Sequence, residues 1–121
     1  MVLYAEERSC TTQFELGEMF HRGESRTRDY EQAFKWYMCS AKKGYRRAQH
    51  RLGSMYARGQ GVATDPIRAY AWCKLSAYQQ SRHALRKLKR IEACMSREQI
   101  RKGCSLARRY YNRYVAGGIA E

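Results

Sequence analysis

The chain has 121 residues and a formal net charge of +13, from 24 Lys/Arg against 11 Asp/Glu. Apolar residues make up 44% of it, which suits one small folded domain and excludes a disordered composition. No apolar run is long enough to cross a bilayer, and the first residues, MVLYAEER, lack the basic start and apolar core of a secretory signal. We therefore expect a cytoplasmic protein.

A first helical pair is predicted over residues 11–44. Ser9 or Thr11 is expected to cap its first helix, and Asp29 its second, with Gln32 as the capping-box partner of Asp29. Apolar residues at helical spacing predict the buried faces of both helices. These residues are Phe14, Leu16, Met19 and Phe20 in the first helix, and Tyr30, Ala33, Phe34, Tyr37, Met38 and Ala41 in the second.

A second helical pair is predicted over residues 45–80. Gly59 and Gly61 end its first helix, because glycine readily adopts the left-handed conformation that closes a helix. Asp65 and Pro66 are typical of the start of the next helix. The apolar positions are Ala48, Leu52, Met55 and Tyr56 in the first helix, and Ala69, Tyr70, Trp72, Cys73 and Ala77 in the second.

A third pair is predicted over residues 81–115, followed by a tail over 116–121 that is expected to fray. Ser96 and Gln99 form an S-x-x-Q capping box, which is a specific signal for the start of the last helix. One apolar face is predicted for that helix, made of Ile100, Cys104, Ala107, Tyr111 and Tyr114.

The second pair repeats the first at an offset of 36 residues without any gap. The matches include the rare residue types Trp36 and Trp72, as well as Asp29 and Asp65. A period of this length indicates a helical solenoid, in which each pair buries its apolar face against its neighbours. Further matches are Leu16 with Leu52, Gly17 with Gly53, Met19 with Met55, Gly23 with Gly59, Ala33 with Ala69, and Ala41 with Ala77.

The pattern of the second pair, A-x3-L-G-x2-Y-x2-G-x-G-V-x2-D-x3-A-x2-W-x4-A, resembles Sel-one-like repeats, which are relatives of the tetratricopeptide repeat. The first pair departs from the pattern at Thr12 and at Ser25-Arg26. Residues 69–77 and 95–99 also resemble the end of many bacterial members. The pattern is filled by Ala48, Leu52, Gly53, Tyr56, Gly59, Gly61, Val62, Asp65, Ala69, Trp72 and Ala77.

The resemblance implies an all-α, right-handed α/α superhelical solenoid of about three antiparallel helical hairpins. Its parts are a lead over residues 1–10, two repeats over 11–44 and 45–80, a capping pair over 81–115 and the tail over 116–121. The implied function is a non-catalytic protein–protein interaction module, acting as an adaptor, a scaffold or a small regulator. No cofactor is implied.

The charge is unevenly distributed along the chain. Residues 1–44 contain seven Lys/Arg and seven Asp/Glu, whereas residues 45–121 contain 17 Lys/Arg and four Asp/Glu. Such asymmetry predicts attraction to an acidic partner, which is a protein, a nucleic acid or an anionic membrane surface. We expect a protein with an acidic segment or face, with nucleic acid as the alternative.

In repeats of this kind the first helix of each pair lines the concave surface, so residues 36 apart are expected to stack there. The stacked sets become more basic along the chain, which predicts a groove that binds an acidic segment. The alternative is an ordinary solvated face, because most surface charges contribute little. The predicted partner-binding residues are Glu15, Glu18, His50, Arg51, Ser54, Arg86, Lys87 and Arg90.

The last helix offers a second basic surface around its apolar face. Arginine beside tyrosine, here Tyr110, can bind phosphates and stack on bases, which is the basis of the nucleic-acid alternative. The competing interpretation is that these cations only solubilise the end of the solenoid. The residues of this basic end surface are Arg97, Arg101, Lys102, Arg108, Arg109 and Arg113.

No catalytic or metal-binding pattern is found. His21, His50 and His83 do not stand at metal-ligand spacing with a cysteine or a carboxylate. The five cysteines include no C-x-x-C pair, and we expect reduced thiols that serve as small core residues. The alternative for two of them is a disulfide between Cys94 and Cys104.

Overall fold

A computed structural model describes residues 9–23, 28–79 and 82–116. The predicted lead up to residue 8, the turn residues 24–27 and the tail beyond 116 lie outside the described residues. The described segments contain no strand, which confirms the all-α prediction. The helices are α1 (Cys10–Arg22), α2 (Tyr30–Lys42), α3 (Arg46–Arg58), α4 (Pro66–Tyr78), α5 (Arg82–Ala93) and α6 (Arg97–Tyr110), and Tyr111–Ala116 extends α6 as a π-helix.

Side-chain caps begin most of these helices where the sequence predicts them. The Ser9 hydroxyl accepts a hydrogen bond from the Thr12 amide at 3.3 Å. Asp65 accepts one from the Arg68 amide at 3.1 Å, with Pro66 in the first helical position. The reciprocal capping box at the start of α6 is present, as predicted. Each cap satisfies an amide that has no partner within its helix.

The capping role predicted for Gln32 is wrong. The Asp29 carboxylate caps α2 through the Gln32 amide, at 3.1 Å, but the Asp29 amide does not need the Gln32 side chain. It donates instead to the Phe20 carbonyl at 2.9 Å. The equivalent amide of Asp65 donates to the Tyr56 carbonyl at 3.0 Å. Both repeats therefore close their turn with the same backbone bond to the preceding helix.

Glycine lets the two helices of each repeat approach closely. A Cβ atom on Gly17 would lie 2.6 Å from Cδ1 of Tyr37, which is too close for a side chain. A Cβ on Gly53 would likewise overlap the Sγ atom of Cys73. Both positions are 36 residues apart, so the same helix crossing recurs in both repeats. The turn glycine Gly59 has φ of 72°, as its predicted helix-ending role requires.

Helix α4 lies at the centre of the packing and contacts α3, α5 and α6. Its Trp72 is only 2% exposed and stacks on Tyr110 with ring centroids 4.4 Å apart. Trp36, at the equivalent position in the first repeat, is half-buried. The difference follows from the neighbouring helices, because α4 packs against α3, α5 and α6, whereas α2 packs mainly against α1 and α3.

The buried face of α6 differs from the prediction. Tyr110 packs inward against Trp72, whereas Tyr111 is 38% exposed and touches Tyr78 at the surface. The positions that face the core, Gly103, Ala107, Tyr110 and Tyr114, keep helical spacings of four, three and four, so the buried stripe includes Tyr110 in place of Tyr111. Gly103, which the sequence pattern does not single out, meets the Tyr70 ring directly. In α1, Met19 is 39% exposed rather than packed.

All five cysteines are free thiols, so the alternative of a bridge between Cys94 and Cys104 is wrong. The expectation of small core residues holds only for Cys73, which is fully buried. Cys104 is half-buried beside the Tyr70 hydroxyl at 3.6 Å, and Cys39 and Cys94 are exposed. None of the helices among the described residues has the length and apolar character needed to span a bilayer.

Candidate functional site

The first helices of the three pairs, α1, α3 and α5, share one face that is cut by open clefts. A cleft of about 380 Å³ is lined by residues of all three helices, among them Glu18, Arg51 and Lys87. Residues from the first helices of successive pairs therefore meet on one side of the molecule. We call this surface the first-helix face.

A buried carboxylate joins the first two repeats on this face. Glu18 is 8% exposed and accepts two hydrogen bonds of 2.9 Å from the Arg51 guanidinium, one on each oxygen. It also accepts one from the Tyr37 hydroxyl at 2.5 Å. Burial alone would raise the pKa of Glu18, but these hydrogen bonds and the charge of Arg51 outweigh it and lower the pKa to about 2.

A contact of the same kind joins α3 and α5, but its acceptor is a hydroxyl rather than a carboxylate. Lys87 occupies the repeat position of Arg51 and donates a 2.7 Å hydrogen bond to the Ser54 hydroxyl. Ser54 in turn occupies the position of Glu18, and the buried Cys73 that of Tyr37. The first interface is thus neutralised by an ion pair, whereas Lys87 in the second has only a neutral partner.

A strongly positive cleft of about 280 Å³ opens beside Lys87, and we call it the basic cleft. Burial and the charges of Arg58, Arg90 and Arg51 lower the pKa of Lys87. Burial and the charges of Lys87, Arg51 and His83 lower the pKa of His50 to about 4, so this imidazole is neutral at physiological pH. The basic cleft is lined by His50, Arg58, His83, Arg86, Lys87 and Arg90.

Within the described part of the chain, no acidic side chain forms an ion pair with a cation of the basic cleft. Between residues 45 and 116 the chain has three acids, Asp65, Glu92 and Glu98. Asp65 caps α4 and pairs with Arg68, Glu92 accepts a 2.8 Å hydrogen bond from a tyrosine of α4, and Glu98 pairs with its neighbour on α6. None of the ion pairs among the described residues includes a cation that lines the basic cleft.

The structure divides the predicted partner-binding residues into groups with different roles. Glu18 and Arg51 bind each other, and Arg51 also lies over the Phe14 ring at 5.7 Å, so this pair holds the repeats together. Glu15 is exposed but lies in a separate cleft near the start of α1. The remaining predicted residues, His50, Ser54, Arg86, Lys87 and Arg90, come together in or beside the basic cleft.

Arg58 is the cation that the sequence analysis missed. It lines the basic cleft together with Lys87, and it is exposed. The sequence does contain a pattern that would predict this position, because Arg51, Ser54 and Arg58 follow the spacing of one helical face. One helical turn beyond Ser54 in α3 lies Arg58, and one turn beyond Arg90 in α5 lies Cys94, the repeat equivalent of Arg58.

The predicted basic end surface on α6 lies apart from the first-helix face. Arg101 pairs with Glu98, and Arg113 lies over the Tyr114 ring at 5.7 Å. Tyr110, which was expected to be available for base stacking, is instead covered by Trp72. All six cations of this surface are exposed: Arg97, Arg101, Lys102, Arg108, Arg109 and Arg113.

The described residues offer no donor set for a metal ion. No group of three or more His, Cys, Asp or Glu side chains in that part of the chain is placed to hold one. His50 and His83 have ring centroids 6.2 Å apart, but the groups around them are cations rather than carboxylates. This face is therefore suited to binding anions through charge.

Stacked helical pairs with a charged face on their first helices define a class of protein, the α/α repeat interaction fold. The family model described as Sel1 repeat matches residues 12–45 and 46–81, which together exceed half of the chain. This chain therefore belongs to the Sel1 repeat family, as its resemblance to Sel-one-like repeats predicted. Proteins of this family are generally protein–protein interaction modules and generally not enzymes.

Two solved structures show the same fold. A protective antigen present in uropathogenic Escherichia coli strains, which displays an SLR fold, matches with a TM-score of 0.86 at 26% identity. The match covers 93% of this chain and 24% of that one, so the chain spans about a quarter of the length of the antigen. A Sel1 repeat protein from Oxalobacter formigenes matches with a TM-score of 0.70 at 33% identity, over 73% of this chain and 66% of that one. None of the curated proteins matches the sequence significantly.

Proposed function

We propose that this chain is a non-catalytic adaptor, scaffold or small regulator whose first-helix face binds an acidic segment of another protein. The observation that carries the proposal is the contact of Lys87 with Ser54, where the preceding repeat has Arg51 with Glu18. The second interface lacks an internal anion, so an anion from a partner completes it.

The basic cleft gives such a segment both charge and shape. Cations close together without an acid repel one another, and a carboxylate from a partner relieves that repulsion. Because Lys87 is half-buried, an ion pair formed with it is screened less by salt than one on an open surface. Complementary charge of this kind raises the association rate and fixes the orientation of the segment.

Nucleic-acid binding by the basic end surface is the alternative function, and the position of Tyr110 disfavours it. A ring stacked on Trp72 is not free to stack on a base, which leaves the cations to bind phosphates without an aromatic platform. The cations of this surface are exposed, as is typical of a solubilising end helix.

Fluorescence anisotropy with two labelled ligands tests the proposal. One ligand is a short peptide of alternating glutamate and serine, and the other is a random single-stranded oligonucleotide of similar charge. We expect the peptide to bind near physiological salt. Charge reversal of Arg58, Lys87 and Arg90 to glutamate should weaken this binding by at least tenfold, which corresponds to about 1.4 kcal/mol.

The matched control reverses the same number of charges, at Lys102, Arg108 and Arg109 on the basic end surface, and should leave peptide binding unchanged. A peptide that binds equally well to both charge-reversed variants would contradict the proposed site. An oligonucleotide that binds more tightly than the peptide, and is lost in the control variant, would favour the nucleic-acid function instead.

We also propose the cytoplasm as the location of the protein and residues 81–115 as the capping pair of the solenoid. Five free cysteines suit a reducing compartment, where thiols persist. Exposed polar residues on α5 and α6 suit a terminal pair, which needs a polar outer face.

A further inference from the structure

We propose that a second cleft next to the basic cleft receives one apolar side chain of the bound segment. The partner is then an acidic stretch of a protein interrupted by a leucine, isoleucine or phenylalanine. This inference rests on the proposed function and specifies the chemistry of its ligand. The second cleft measures about 370 Å³, and we call it the apolar cleft.

The apolar cleft lies where the ends of α3 and α5 meet the start of α4. Its apolar lining includes Ala57 of α3, Ile91 of α5 and Pro66 at the start of α4. The buried residues Tyr56 and Ala69 also line it. Its volume is near the lower end of the roughly 300–1,000 Å³ range that ligand sites occupy, which suits a single side chain.

The two clefts share their cations. Arg58, Lys87 and Arg90 line the apolar cleft and also line the basic cleft. An acidic segment held by these cations therefore lies directly beside an apolar surface. This continuity, rather than the apolar surface alone, identifies the occupant as an acidic peptide.

An extended peptide can use both clefts at once. Successive side chains of an extended chain point in opposite directions. Two acidic residues can therefore meet the shared cations while the apolar residue between them turns into the apolar cleft. Burial of that side chain adds affinity that charge alone does not supply, and it selects among acidic partners.

The test compares two labelled peptides that differ at one position. The parent peptide alternates glutamate and serine, and in the second peptide a central serine is replaced by leucine. We expect the leucine peptide to bind roughly tenfold more tightly to the unmodified protein, because a leucine side chain leaves water. Equal affinities would overturn the inference, although binding of both peptides would leave the proposed function standing.

Two variants test whether the higher affinity of the leucine peptide arises at the apolar cleft. Ala57→Trp fills the apolar cleft from an exposed helix position and should remove the advantage of the leucine peptide while the parent peptide still binds. The matched control is Ala93→Trp, at an exposed position that does not line the cleft, and it should keep the advantage. Loss of the advantage in both variants, or in neither, would overturn the location.

Thiol footprinting gives an independent readout. Cys94 is exposed at the edge of the apolar cleft, whereas exposed Cys39 lies on α2 and lines none of the clefts described above. The leucine peptide should slow the alkylation of Cys94 by iodoacetamide and leave Cys39 unaffected. Unchanged alkylation of Cys94 at a saturating peptide concentration would overturn the inference. Failure of both peptides to bind would overturn the proposed function as well.

Discussion

Arg51 and Glu18 form a two-bond ion pair between the first helices of consecutive repeats, with both nitrogen–oxygen distances at 2.9 Å. The pair is enclosed, since Glu18 is 8% exposed and the Arg51 guanidinium lies over an aromatic ring. Lys87 and Ser54 repeat this geometry one unit later with a neutral acceptor. The second contact therefore leaves the charge of Lys87 without an acidic partner among the described residues, beside the other cations of the basic cleft.

The ion pair should make the stability of the protein sensitive to acid. The pKa of Glu18 is about 2 in the folded protein against an ordinary value of 4.5, so its stabilising contribution is complete above pH 4.5 and is lost as the pH falls toward 2. Glu18→Gln should lower the free energy of unfolding by about 2 kcal/mol at neutral pH. Urea unfolding followed by circular dichroism measures this.

The matched control for Glu18 is Glu15→Gln, because Glu15 lies on the same helix and is exposed. It should change the free energy of unfolding by less than about 0.5 kcal/mol. If Glu18→Gln were no more destabilising than this control at neutral pH, the ion pair would not stabilise the interface between the repeats.

His50 should make the free energy of unfolding depend on pH in a second range, which lies above the range in which Glu18 is protonated. Its pKa is about 4 in the folded protein against an ordinary 6.5, because burial and the charges of Lys87, Arg51 and His83 disfavour the imidazolium. The unfolded chain therefore takes up this proton first, and stability falls as the pH drops from 6.5 toward 4. His50→Gln should reduce that slope, measured as the urea midpoint between pH 6.5 and pH 5. An unchanged slope would mean that His50 is not held neutral.

Ser54→Glu should create an ion pair with Lys87 between α3 and α5, like the one between Glu18 and Arg51 that joins α1 and α3. The new carboxylate stands where Glu18 stands in the preceding repeat, within reach of Lys87. We expect a gain of about 1 kcal/mol in the free energy of unfolding and about fivefold weaker binding of the glutamate–serine peptide, because Lys87 is neutralised internally. Ser54→Gln is the uncharged control. A variant that keeps full peptide affinity would show that Lys87 does not bind the segment.

Two neighbouring tyrosines test the path of α6. Tyr110→Ala removes the ring stacked on Trp72 and should cost about 3 kcal/mol of unfolding free energy. Tyr111→Ala removes a ring that is 38% exposed and should cost less than about 1 kcal/mol. Thermal or urea unfolding of both variants measures the difference, and equal costs would contradict the inward position of Tyr110.

The sequence predicts the helical pairs because their signals are local. The caps at Asp29, Asp65 and Ser96 depend on residues only a few places apart, and the structure confirms those helix starts. The choice between Tyr110 and Tyr111 depends instead on how α6 packs against Trp72 of α4, which the spacing of apolar residues within α6 does not specify. Hence the sequence predicts the existence of α6 and its start, but selects the wrong tyrosine for its buried face.

The contacts across the first-helix face depend on how the repeats stack. Equivalent residues are 36 apart, but the pairs that touch, Arg51 with Glu18 and Lys87 with Ser54, are 33 apart. Neighbouring first helices are thus displaced by nearly one helical turn relative to the sequence register. Stacking at an offset of 36 residues would place Arg51 beside Glu15, so the sequence does not predict the ion pair between Arg51 and Glu18.

Chemical-shift mapping by NMR tests the central claim most directly. The isotope-labelled protein is titrated with the glutamate–serine peptide, and amide shifts are followed along the chain. Binding at the basic cleft predicts the largest changes at Ser54, Arg58, Lys87 and Arg90, with small changes at Arg108 and Arg109. Changes concentrated on α6, or spread evenly over all exposed cations, would contradict a binding site on the first-helix face.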